Sequence, residues 1–363
     1  MAKYKVAWLP GDGIGKDVLD AARIVLDATG LEFEYIDGEV GWEFWKSEGD
    51  PLPERTIEMM KGTDCCMFGA ITSKPQEEAI KEIDPVLRNK GFIYRSPIVR
   101  LRQIFDLYIC LRPCKAYEGN PLNYRQDIDI VVFRENTEDL YAGVEYRPIP
   151  EPFYQVPGME KVSKNSAVSL KINSPEGCER IIRAAFEYAR KKKRKRVTSV
   201  LKANVVRVSD GLFLEIARKV AKEFPEVAYD NANVDSLCMW LVKNPQDYDV
   251  LVAPNLYGDI ISDLCAQLVG GLRFACSANI GEGYGLFEPA HGSAPKYAGQ
   301  YRVNPIATIL ASKMMLEYLG EEDLAERVDN AVAQVIGESE IKTYDLGGSA
   351  STLDVAKAIA DRI

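Results

Sequence analysis

Apolar and polar residues follow one another in the first third of the chain in a way that predicts strands separated by helices. An apolar run at 3–9 is followed by a glycine-rich turn and then by apolar residues at helical spacing over 18–26. A second predicted strand at 32–36 and a buried one at 64–68 flank a helix that begins near Pro53. Strands that alternate with helices indicate a mostly parallel sheet with both faces covered.

The middle third of the chain predicts a part with a different organisation. Residues 128–133 form a continuous apolar run, and 167–172 alternate apolar with polar residues as an exposed strand does. Pro175 begins an amphipathic helix, and Asp210 is predicted to cap the next one. The sequence therefore predicts an α/β fold with an inserted, partly exposed antiparallel segment.

Composition narrows the classes of function. A length of 363 residues suggests two domains, and a net charge of −9 disfavours a general nucleic-acid or anionic-membrane binder. The single histidine, His291, excludes zinc sites that need two or more imidazoles. The eight cysteines form no CxxC pair, and no apolar stretch is long enough to span a bilayer. We therefore expect a cytoplasmic protein with reduced thiols.

Two conspicuous segments have a simpler structural interpretation. The glycines at 11–15 (GDGIG) lack the GxGxxG spacing, so they predict a tight strand-to-helix turn and not a standard Rossmann site. The basic run at 190–196 follows a predicted helix at 176–190, where cations complement the helix dipole. Nucleic-acid binding by this run is the alternative, and it predicts a steep dependence on salt.

Charged residues near predicted strand ends and on one helix are candidates for a site. Arg102, Arg112 and Arg134 could bind carboxylates in a bidentate manner, although each could also form a surface salt bridge. Asp259 and Asp263 are four residues apart, so a helix places both carboxylates on one face. This arrangement favours Mg²⁺ or Mn²⁺, although acidic pairs are also common on helix surfaces.

Further candidates suit proton transfer and nucleotide binding. Lys202 ends an apolar strand, where a lysine can serve as a general base. His291 follows a glycine-rich stretch whose small residues allow a nucleotide to approach the backbone. Lys296 and Tyr297 offer hydrogen-bond donors for an extra phosphate. A purely structural role is the alternative for Lys202 and for His291.

Several segments, in order along the whole chain, resemble the isocitrate/isopropylmalate dehydrogenase family of metal-dependent decarboxylating 3-carboxy-2-hydroxyacid dehydrogenases. They are LPGDGIG, LRQIFDLYICLRP, FRENTEDLYAGVE, LKANV, NVDSLCMWLV, NLYGDIISDLCAQLVGGL and EPAHGSAPKYAGQYRVNP. The resemblance implies an isopropylmalate dehydrogenase-like two-domain fold with an inserted dimer-forming domain. Residues 1–100 plus 256–363 would form a large cofactor-binding domain, and 101–255 a small substrate and dimerisation domain.

The resemblance also implies a role for each matching residue. Tyr141 would be the acid that protonates the enol after CO₂ leaves, and Lys202 the base at the 2-hydroxyl group. The substrate would be bound by Ser96, Arg102, Arg112 and Arg134, and Mg²⁺ or Mn²⁺ by Asp235, Asp259 and Asp263. Lys202 and Asp235 would come from the other subunit, so a homodimer with shared active sites is implied. The cofactor would contact Thr72, His291, Gly292, Ala294, Lys296, Tyr297, Asn304 and Tyr344.

The choice of cofactor follows from the same resemblance. Members that use NAD typically carry Asp at the position of Lys296, where it repels a 2′-phosphate. Lys296, Tyr297 and Tyr344 together look like the NADP-type pattern. Gly348 departs from it, because bacterial NADP-dependent isocitrate enzymes often have Arg there. We expect a preference for NADP with weaker discrimination than those enzymes show.

The choice of substrate depends on the segment before Arg102. Ser96 matches the isocitrate pattern, but Ile98 replaces the usual Asn, and the string SPIV resembles homoisocitrate dehydrogenases. We expect NADP-dependent oxidative decarboxylation of isocitrate to 2-oxoglutarate and CO₂, with homoisocitrate and 3-isopropylmalate as the alternatives. A catalytically inactive regulatory subunit is disfavoured, because Tyr141, Lys202 and the three aspartates are all present.

Overall fold

The computed structural model describes residues 2–338 and 340–363. In this part of the chain the strands are β1 (Tyr4–Gly11), β2 (Phe33–Asp37), β3 (Cys65–Ala70), β4 (Ile109–Lys115), β5 (Asp129–Glu135), β6 (Glu145–Tyr146), β7 (Val168–Ser169), β8 (Arg196–Leu201), β9 (Ala228–Asn233), β10 (Val250–Ala253), β11 (Cys276–Ile280) and β12 (Gly285–Pro289). The α-helices are α1 (Gly15–Ala28), α2 (Trp42–Glu48), α3 (Glu54–Met60), α4 (Gln76–Glu82), α5 (Pro97–Ile104), α6 (Pro175–Lys191), α7 (Ser209–Ala221), α8 (Val234–Lys243), α9 (Asn255–Leu268), α10 (Ile306–Tyr318), α11 (Glu322–Glu338) and α12 (Thr352–Ala360). Short 3₁₀ helices include Leu140–Ala142, Pro295–Tyr297 and Tyr344–Leu346.

The chain divides into two compact units. Unit 1 contains the chain up to Val131 together with Ser262–Ile363, and unit 2 contains Val132–Ile261. The chain passes from one unit to the other within β5 and again within α9. The division into 1–100 plus 256–363 and 101–255 stays a prediction about domains.

Unit 1 contains a mixed sheet with the strand order β2-β1-β3-β12-β11-β4. The pairs β1–β2, β1–β3 and β3–β12 are parallel, whereas β11 runs antiparallel to both β12 and β4. The predicted alternation of strands and helices in the first third of the chain is confirmed.

Successive residues of β1 and β3 face opposite sides of this sheet, because side chains in a strand alternate. Val6 and Trp8 of β1 pack in a cluster with α1, α10, α11 and α12. Ala7 and Leu9 pack in a second cluster with residues of α3 and α5. Both faces of β1 and β3 are therefore covered, which explains why these strands are continuous apolar runs in the sequence.

The glycine-rich segment between β1 and α1 forms the tight turn that its spacing predicts. Gly11 and Gly13 have positive φ angles of 70° and 56°. A Cβ atom at Gly13 would lie 2.0 Å from the carbonyl oxygen of Ser293, and the amide of Ile14 donates to that oxygen at 2.8 Å. The turn therefore supports the loop around Ser293 by close backbone contact.

Unit 2 has its own sheet segment, in which β10, β8 and β9 are neighbours and both pairs are parallel. The amphipathic helix α6 begins at Pro175, as predicted, and it packs against α7, β8 and β10. The expected exposed antiparallel segment is the pair β6–β7, although its second strand covers only Val168–Ser169 of the predicted 167–172.

Two further sequence predictions can be compared with this fold. The basic run at 190–196 starts in the last turn of α6 and ends at the start of β8, and Arg194 pairs with Asp249 at 3.0 Å. The prediction that Asp210 caps a helix is wrong, because α7 already begins at Ser209. The carboxylate of Asp210 instead accepts the backbone N–H of Lys202 at 2.7 Å. No helix of the described residues is both long and apolar enough to cross a bilayer.

Candidate active site

Three predicted site residues of unit 2 are in direct contact. Arg134 lies on β5, Tyr141 in the 3₁₀ helix after it, and Asp259 in the second turn of α9. The Arg134 guanidinium donates to Oδ1 of Asp259, and the Tyr141 hydroxyl donates to Oδ2 at 2.7 Å. The guanidinium also lies over the Tyr141 ring, 4.9 Å from its centroid. Each oxygen of the Asp259 carboxylate thus has a different donor.

Burial explains why Arg134 is held so firmly. The residue is 1% exposed, and a buried guanidinium needs compensating acceptors. Its Nε atom donates to the Asn255 side chain at 2.9 Å, so α9 supplies this acceptor as well as Asp259. Gly258 allows this approach, because a Cβ atom there would lie 2.7 Å from the Cβ of Arg134. Strand β5 and the N-terminal half of α9 are therefore locked together.

A second buried network of unit 2 surrounds Lys171. Its ammonium group contacts Asp139 at 2.9 Å and Asp210 at 3.4 Å, and both carboxylates are fully buried. Asp139 also accepts the backbone N–H of Leu256, at the start of α9, and Asp210 accepts the N–H of Lys202. Lys171 therefore ties the backbone next to the predicted base to the helix that carries Asp259.

Lys202 follows β8 directly, and its side chain pairs with Asp235 in the first turn of α8. The distance from Nζ to Oδ1 is 2.6 Å. The hydrogen bond from Lys202 lowers the pKa of the Asp235 carboxyl. The Asp235 side chain is 63% exposed, so this carboxylate remains open to another ligand.

The other predicted substrate ligands lie in unit 1. Arg102, in the last turn of α5, is buried and pairs with Glu288 of β12 at 3.0 Å. Arg112 of β4 donates to the Ser262 hydroxyl at 2.8 Å and pairs with Asp263 at 3.2 Å. Ser96 precedes the first residue of α5, and its hydroxyl makes no capping hydrogen bond.

The predicted metal ligands are not brought together within one chain. Helix α9 carries Asp259 and Asp263 one turn apart, as predicted, whereas Asp235 lies on α8. Within the described residues, no three His, Cys, Asp or Glu side chains converge on a point where a metal ion could bind. The donor set consists of carboxylate oxygens only, which fits a hard cation such as Mg²⁺ or Mn²⁺. A single chain does not complete such a site.

A pocket of about 330 Å³ in unit 1 brings several predicted cofactor residues together. It is lined by Ile14, Gln267, Gly271, Leu272, Arg273, His291, Val303, Asn304, Tyr344 and Asp345. The Nε2 atom of His291 is buried and has no hydrogen-bond partner among the described residues. Burial lowers the pKa of this imidazole, so the ring is held neutral. An unpartnered polar atom in a pocket of this size fits a bound nucleotide.

The loop that carries His291 is fixed by contacts on its inner side. The Thr72 and Ser293 hydroxyls are 2.6 Å apart, which links this loop to the end of β3. Ala294 has a left-handed φ of 35°, which turns the chain into the 3₁₀ helix Pro295–Tyr297. Gly292 is exposed, and a Cβ atom at this residue would meet no other atom within 4 Å, so a ligand can approach its backbone.

The remaining predicted cofactor residues lie next to one another. The ring centroids of Tyr297 and Tyr344 are 6.1 Å apart, and the Lys296 ammonium lies 4.8 Å from the Tyr297 centroid. Asn304 accepts the backbone N–H of Ile306 at the start of α10 and donates to Asp345 at 3.3 Å. All eight predicted cofactor residues belong to unit 1.

Several residues that shape these sites are absent from the sequence-based predictions. Glu288 pairs with Arg102, and Asn255 accepts from Arg134. Lys171 contacts Asp139 and Asp210, and Arg273 lines the pocket that contains His291. No local sequence pattern identifies these residues, because each contacts a partner more than thirty positions away along the chain. The one available signal is that a charged residue inside or beside an apolar strand needs a partner.

The chain belongs to the isocitrate/isopropylmalate dehydrogenase family. A sequence model of this family matches residues 5–359. The enzymes of the family are decarboxylating hydroxyacid dehydrogenases that use a nicotinamide cofactor and a divalent metal. The expected family and the isopropylmalate dehydrogenase-like fold are thereby confirmed.

Individual relatives carry different substrate names. The chain is 40% identical to a 3-isopropylmalate/3-methylmalate dehydrogenase of Methanocaldococcus jannaschii over 99% of both chains. It is 41% identical to a homoisocitrate dehydrogenase of the same organism, over 99% of this chain and 97% of the relative. The solved isocitrate dehydrogenase of Methylococcus capsulatus superposes with a TM-score of 0.87 at 40% identity, over 99% of both chains. Similarity at this level therefore leaves the substrate open.

Proposed function

We propose that the chain catalyses the NADP-dependent oxidative decarboxylation of isocitrate to 2-oxoglutarate and CO₂, with Mg²⁺ or Mn²⁺. The observation that carries the catalytic part of this proposal is the contact of Arg134, Tyr141 and Asp259. This contact supports the proposal because Arg134, as a carboxylate-binding cation, and Tyr141, as a proton donor, each hydrogen-bond to Asp259, the proposed metal ligand. Lys202 and Asp235 supply a candidate base and a further carboxylate.

Lys202 is proposed to accept the proton of the substrate 2-hydroxyl group as hydride leaves C2. Tyr141 is proposed to return one proton to C3 after CO₂ departs. One proton is taken up and one is given back, so Lys202 gains a proton and Tyr141 loses one during each turnover. Exchange with solvent then restores both side chains.

The bound nicotinamide would accept the hydride, and the bound divalent cation would polarise the C2 ketone for loss of CO₂. Asp259 and Asp263 of one chain and Asp235 of the other are proposed to hold the cation. Arg102, Arg112, Arg134 and Ser96 are proposed to bind the substrate carboxylates. Arg102 and Arg134 already have protein carboxylates as partners, so a substrate carboxylate shares these cations with Glu288 and Asp259.

The preference for NADP is supported by the positive charge next to Tyr297 and Tyr344. Lys296 stands where a carboxylate would repel a 2′-phosphate, and its ammonium group lies over the Tyr297 ring. Both tyrosine hydroxyls can donate hydrogen bonds to phosphate oxygens. His291 and Asn304 are proposed to contact the adenosine part of the cofactor from the same pocket.

Isocitrate is proposed on the basis of Ser96 and the packing of the residue two positions later. The Ile98 side chain packs against the core cluster that contains Leu9, Phe68 and Leu101. An apolar side chain that is engaged in core packing contributes less to a slot for an isopropyl group. The Ser96 hydroxyl makes no capping hydrogen bond to α5, so it is available to the third carboxylate of the substrate. Homoisocitrate is the second candidate, since the SPIV string and one relative's name agree on it.

A homodimer with shared active sites is proposed from the exposed apolar residues of unit 2. Helix α8 exposes Met239, Trp240 and Val242, and the segment after Lys202 exposes Val205 and Val208. Exposed apolar residues grouped on two segments indicate a protein interface. Asp235 lies on α8, and Lys202 immediately precedes the second segment. These are the two residues that are expected to reach the site of the other subunit. A cytoplasmic location is proposed because all eight cysteines are free thiols.

The test is a set of initial rates at saturating Mg²⁺ in which isocitrate, homoisocitrate and 3-isopropylmalate are each combined with NADP and with NAD. We expect kcat/KM for isocitrate with NADP to exceed that of every other pair by about tenfold or more. A higher value with homoisocitrate or 3-isopropylmalate would overturn the proposed substrate and leave the family unaffected.

Two variants show that the measured rate belongs to this site. Lys202→Met is expected to lower kcat by about 100-fold or more, because it removes the proposed base. Lys222→Met, which alters an exposed lysine just after α7, is the matched control and should retain the parental rate. Equal rates for Lys202→Met and the parent would rule out the proposed role of Lys202.

A further inference from the structure

Three cationic side chains surround Tyr297 and Tyr344 in unit 1. Lys296 lies over the Tyr297 ring, and the Arg302 guanidinium lies 5.6 Å from the centroid of the Tyr344 ring. Arg273 lines the same pocket as Tyr344. Lys296 and Arg302 are exposed, and neither forms an ion pair with any described residue. Their charge is therefore available to an anionic ligand.

Arg273 differs from these two cations because it has a carboxylate partner. Its Nε atom contacts Asp345 Oδ2 at 2.8 Å, and its Nη1 atom donates to the carbonyl of Gly270 at 3.2 Å. Asp345 also accepts from the Thr343 hydroxyl at 2.5 Å and from Asn304. This carboxylate lines the pocket next to Tyr344, where its negative charge would repel a phosphate if Arg273 did not compensate it.

The backbone excludes a side chain at the one position where the family pattern suggests a further cation. A Cβ atom at Gly348 would lie 1.9 Å from the carbonyl oxygen of Lys342 and 2.5 Å from its carbonyl carbon. No side chain can be accommodated there without a shift of the Lys342 backbone. The cation that contacts a phosphate near Tyr344 therefore has to come from another segment.

We propose that Arg302 is the specificity-determining residue that binds the 2′-phosphate of NADP beside Tyr344, and that Arg273 assists by neutralising Asp345. This inference rests on the proposed preference for NADP. Arg302 provides a planar set of donors that suits two phosphate oxygens at once. Its position over Tyr344 lets the guanidinium and the tyrosine hydroxyl act on the same anion.

The experiment is calorimetric titration of the unreacted enzyme with adenosine 2′,5′-bisphosphate and with 5′-AMP, two probes that differ by the 2′-phosphate. The parent is expected to bind the bisphosphate about tenfold more tightly or better, as one charge-assisted contact provides. Arg302→Gln should remove most of this preference and leave the affinity for 5′-AMP within about twofold. Arg302→Lys should retain part of it, because the charge remains while the planar donor set is lost.

The role of Arg273 is separated by a double variant. Arg273→Gln should weaken binding of the bisphosphate several-fold, because Asp345 then faces the phosphate uncompensated. Combining it with Asp345→Asn should restore the preference for the bisphosphate, since both charges are then absent. Arg125→Gln, an exposed arginine of unit 1 that pairs with Asp127, is the matched control and should behave as the parent.

The outcomes distinguish the two levels of the inference. A parent that binds both probes equally would overturn the NADP preference and this proposal with it. A parent that prefers the bisphosphate, together with an Arg302→Gln variant that keeps the full preference, would overturn the role of Arg302 alone. The thermal unfolding temperature of each variant is the folding control. A variant that unfolds at the same temperature as the parent is folded, so its weaker binding comes from the substituted side chain.

Discussion

At the residue scale, the Asp259 carboxylate is the group that joins Arg134 to Tyr141. One carboxylate oxygen accepts from the Arg134 guanidinium and the other from the Tyr141 hydroxyl. A carboxylate with a donor on each oxygen is held in one orientation. Tyr141 is oriented by the same contact, so its hydroxyl has a fixed direction when a substrate arrives. The proposed acid and the proposed metal ligand are thus positioned by one another.

Replacing Tyr141 by Phe tests its proposed role as the acid. We expect Tyr141→Phe to slow formation of the decarboxylated keto acid by about 100-fold or more while hydride transfer is affected less, because only the donor that protonates C3 after CO₂ has left is lost. The measurement compares the formation of reduced cofactor with the formation of the decarboxylated keto acid in single-turnover experiments. Tyr154→Phe, which removes a hydroxyl that donates to Ser163 in the same unit, is the control. Formation of the keto acid at the parental rate by Tyr141→Phe would exclude the role.

His291 provides a clean test of electrostatics, because it is the single histidine of the chain. Burial lowers the pKa of its imidazole below the usual 6.5, so the unfolded chain binds a proton at a higher pH than the folded chain does. The stability that this group contributes is therefore complete above about pH 6.5. It is lost as the pH falls toward the depressed folded-state pKa.

We expect the free energy of unfolding of the parent to fall, relative to His291→Gln, by at most about 1.4 kcal/mol per pH unit below pH 6.5. Urea unfolding of both proteins over this pH range gives the difference directly. The difference between the two proteins cancels the contribution of buried carboxyls, which both proteins share. One of them is Glu135, whose pKa is raised by burial, so its contribution to stability changes with pH in the opposite direction. Parallel curves for the two proteins would show that His291 is not held neutral.

At the scale of elements, one lysine joins parts of unit 2 that lie far apart in the sequence. Lys171 contacts Asp139, which binds the start of α9, and Asp210, which binds the backbone after β8. Lys171→Met leaves two buried carboxylates without their cation. We expect the free energy of unfolding to fall by about 3 kcal/mol, as measured by urea titration.

A surface ion pair of the same unit gives the matched comparison for Lys171. Lys164 pairs with Glu151 at 3.4 Å, and both side chains are about three-quarters exposed. Because exposed pairs contribute at most about 1 kcal/mol, Lys164→Met should unfold almost as the parent does. A similar small effect for Lys171→Met would mean that Asp139 and Asp210 find other donors.

The elements themselves follow closely from local patterns. The buried strand at 64–68 was predictable because a short continuous apolar run indicates a strand covered on both faces. The helix that begins at Pro175 was predictable because a period of 3.6 residues reflects one covered face. Asp210 led to a wrong prediction, because a residue type that favours helix caps also suits a buried ion pair, here with Lys171. The exposed strand at 167–172 is shorter than its pattern suggests, since alternation alone does not supply a pairing partner.

At the scale of the whole molecule, the proposed homodimer can be tested by mixing two inactive variants. If Lys202 acts in the site of the other subunit, a hybrid of Lys202→Met and Tyr141→Phe chains contains one intact site. Random mixing gives half hybrids, so about one quarter of the parental activity should return. The measurement is the initial rate after co-expression or after joint refolding of the two variants.

The control for the hybrid experiment mixes Lys202→Met with Asp235→Asn chains. Lys202 and Asp235 are expected to reach each site from the same subunit. In a hybrid one site therefore lacks Lys202 and the other lacks Asp235, so no activity should return. Recovery with this second mixture, or none with the first, would contradict the proposed sharing of sites between subunits. Sedimentation of the parent at several concentrations reports the dimer independently of activity.

The sequence by itself determined the succession of strands and helices, the family and the identity of the candidate catalytic residues. These features are local: a strand, a tight turn or a motif is written in consecutive residues, and its physical cause acts over a few positions. The eight predicted cofactor residues lie within one compact unit for the same reason, since most of them belong to one loop.

Only the tertiary structure decided which charges meet. Arg102 pairs with Glu288, Arg134 with Asp259 and Arg273 with Asp345, over separations that no local pattern encodes. The exclusion of a side chain at Gly348 likewise depends on where the backbone of Lys342 passes. Ion pairs and close backbone contacts depend on the order of strands in the sheet, and that order is set by the packing of the whole unit.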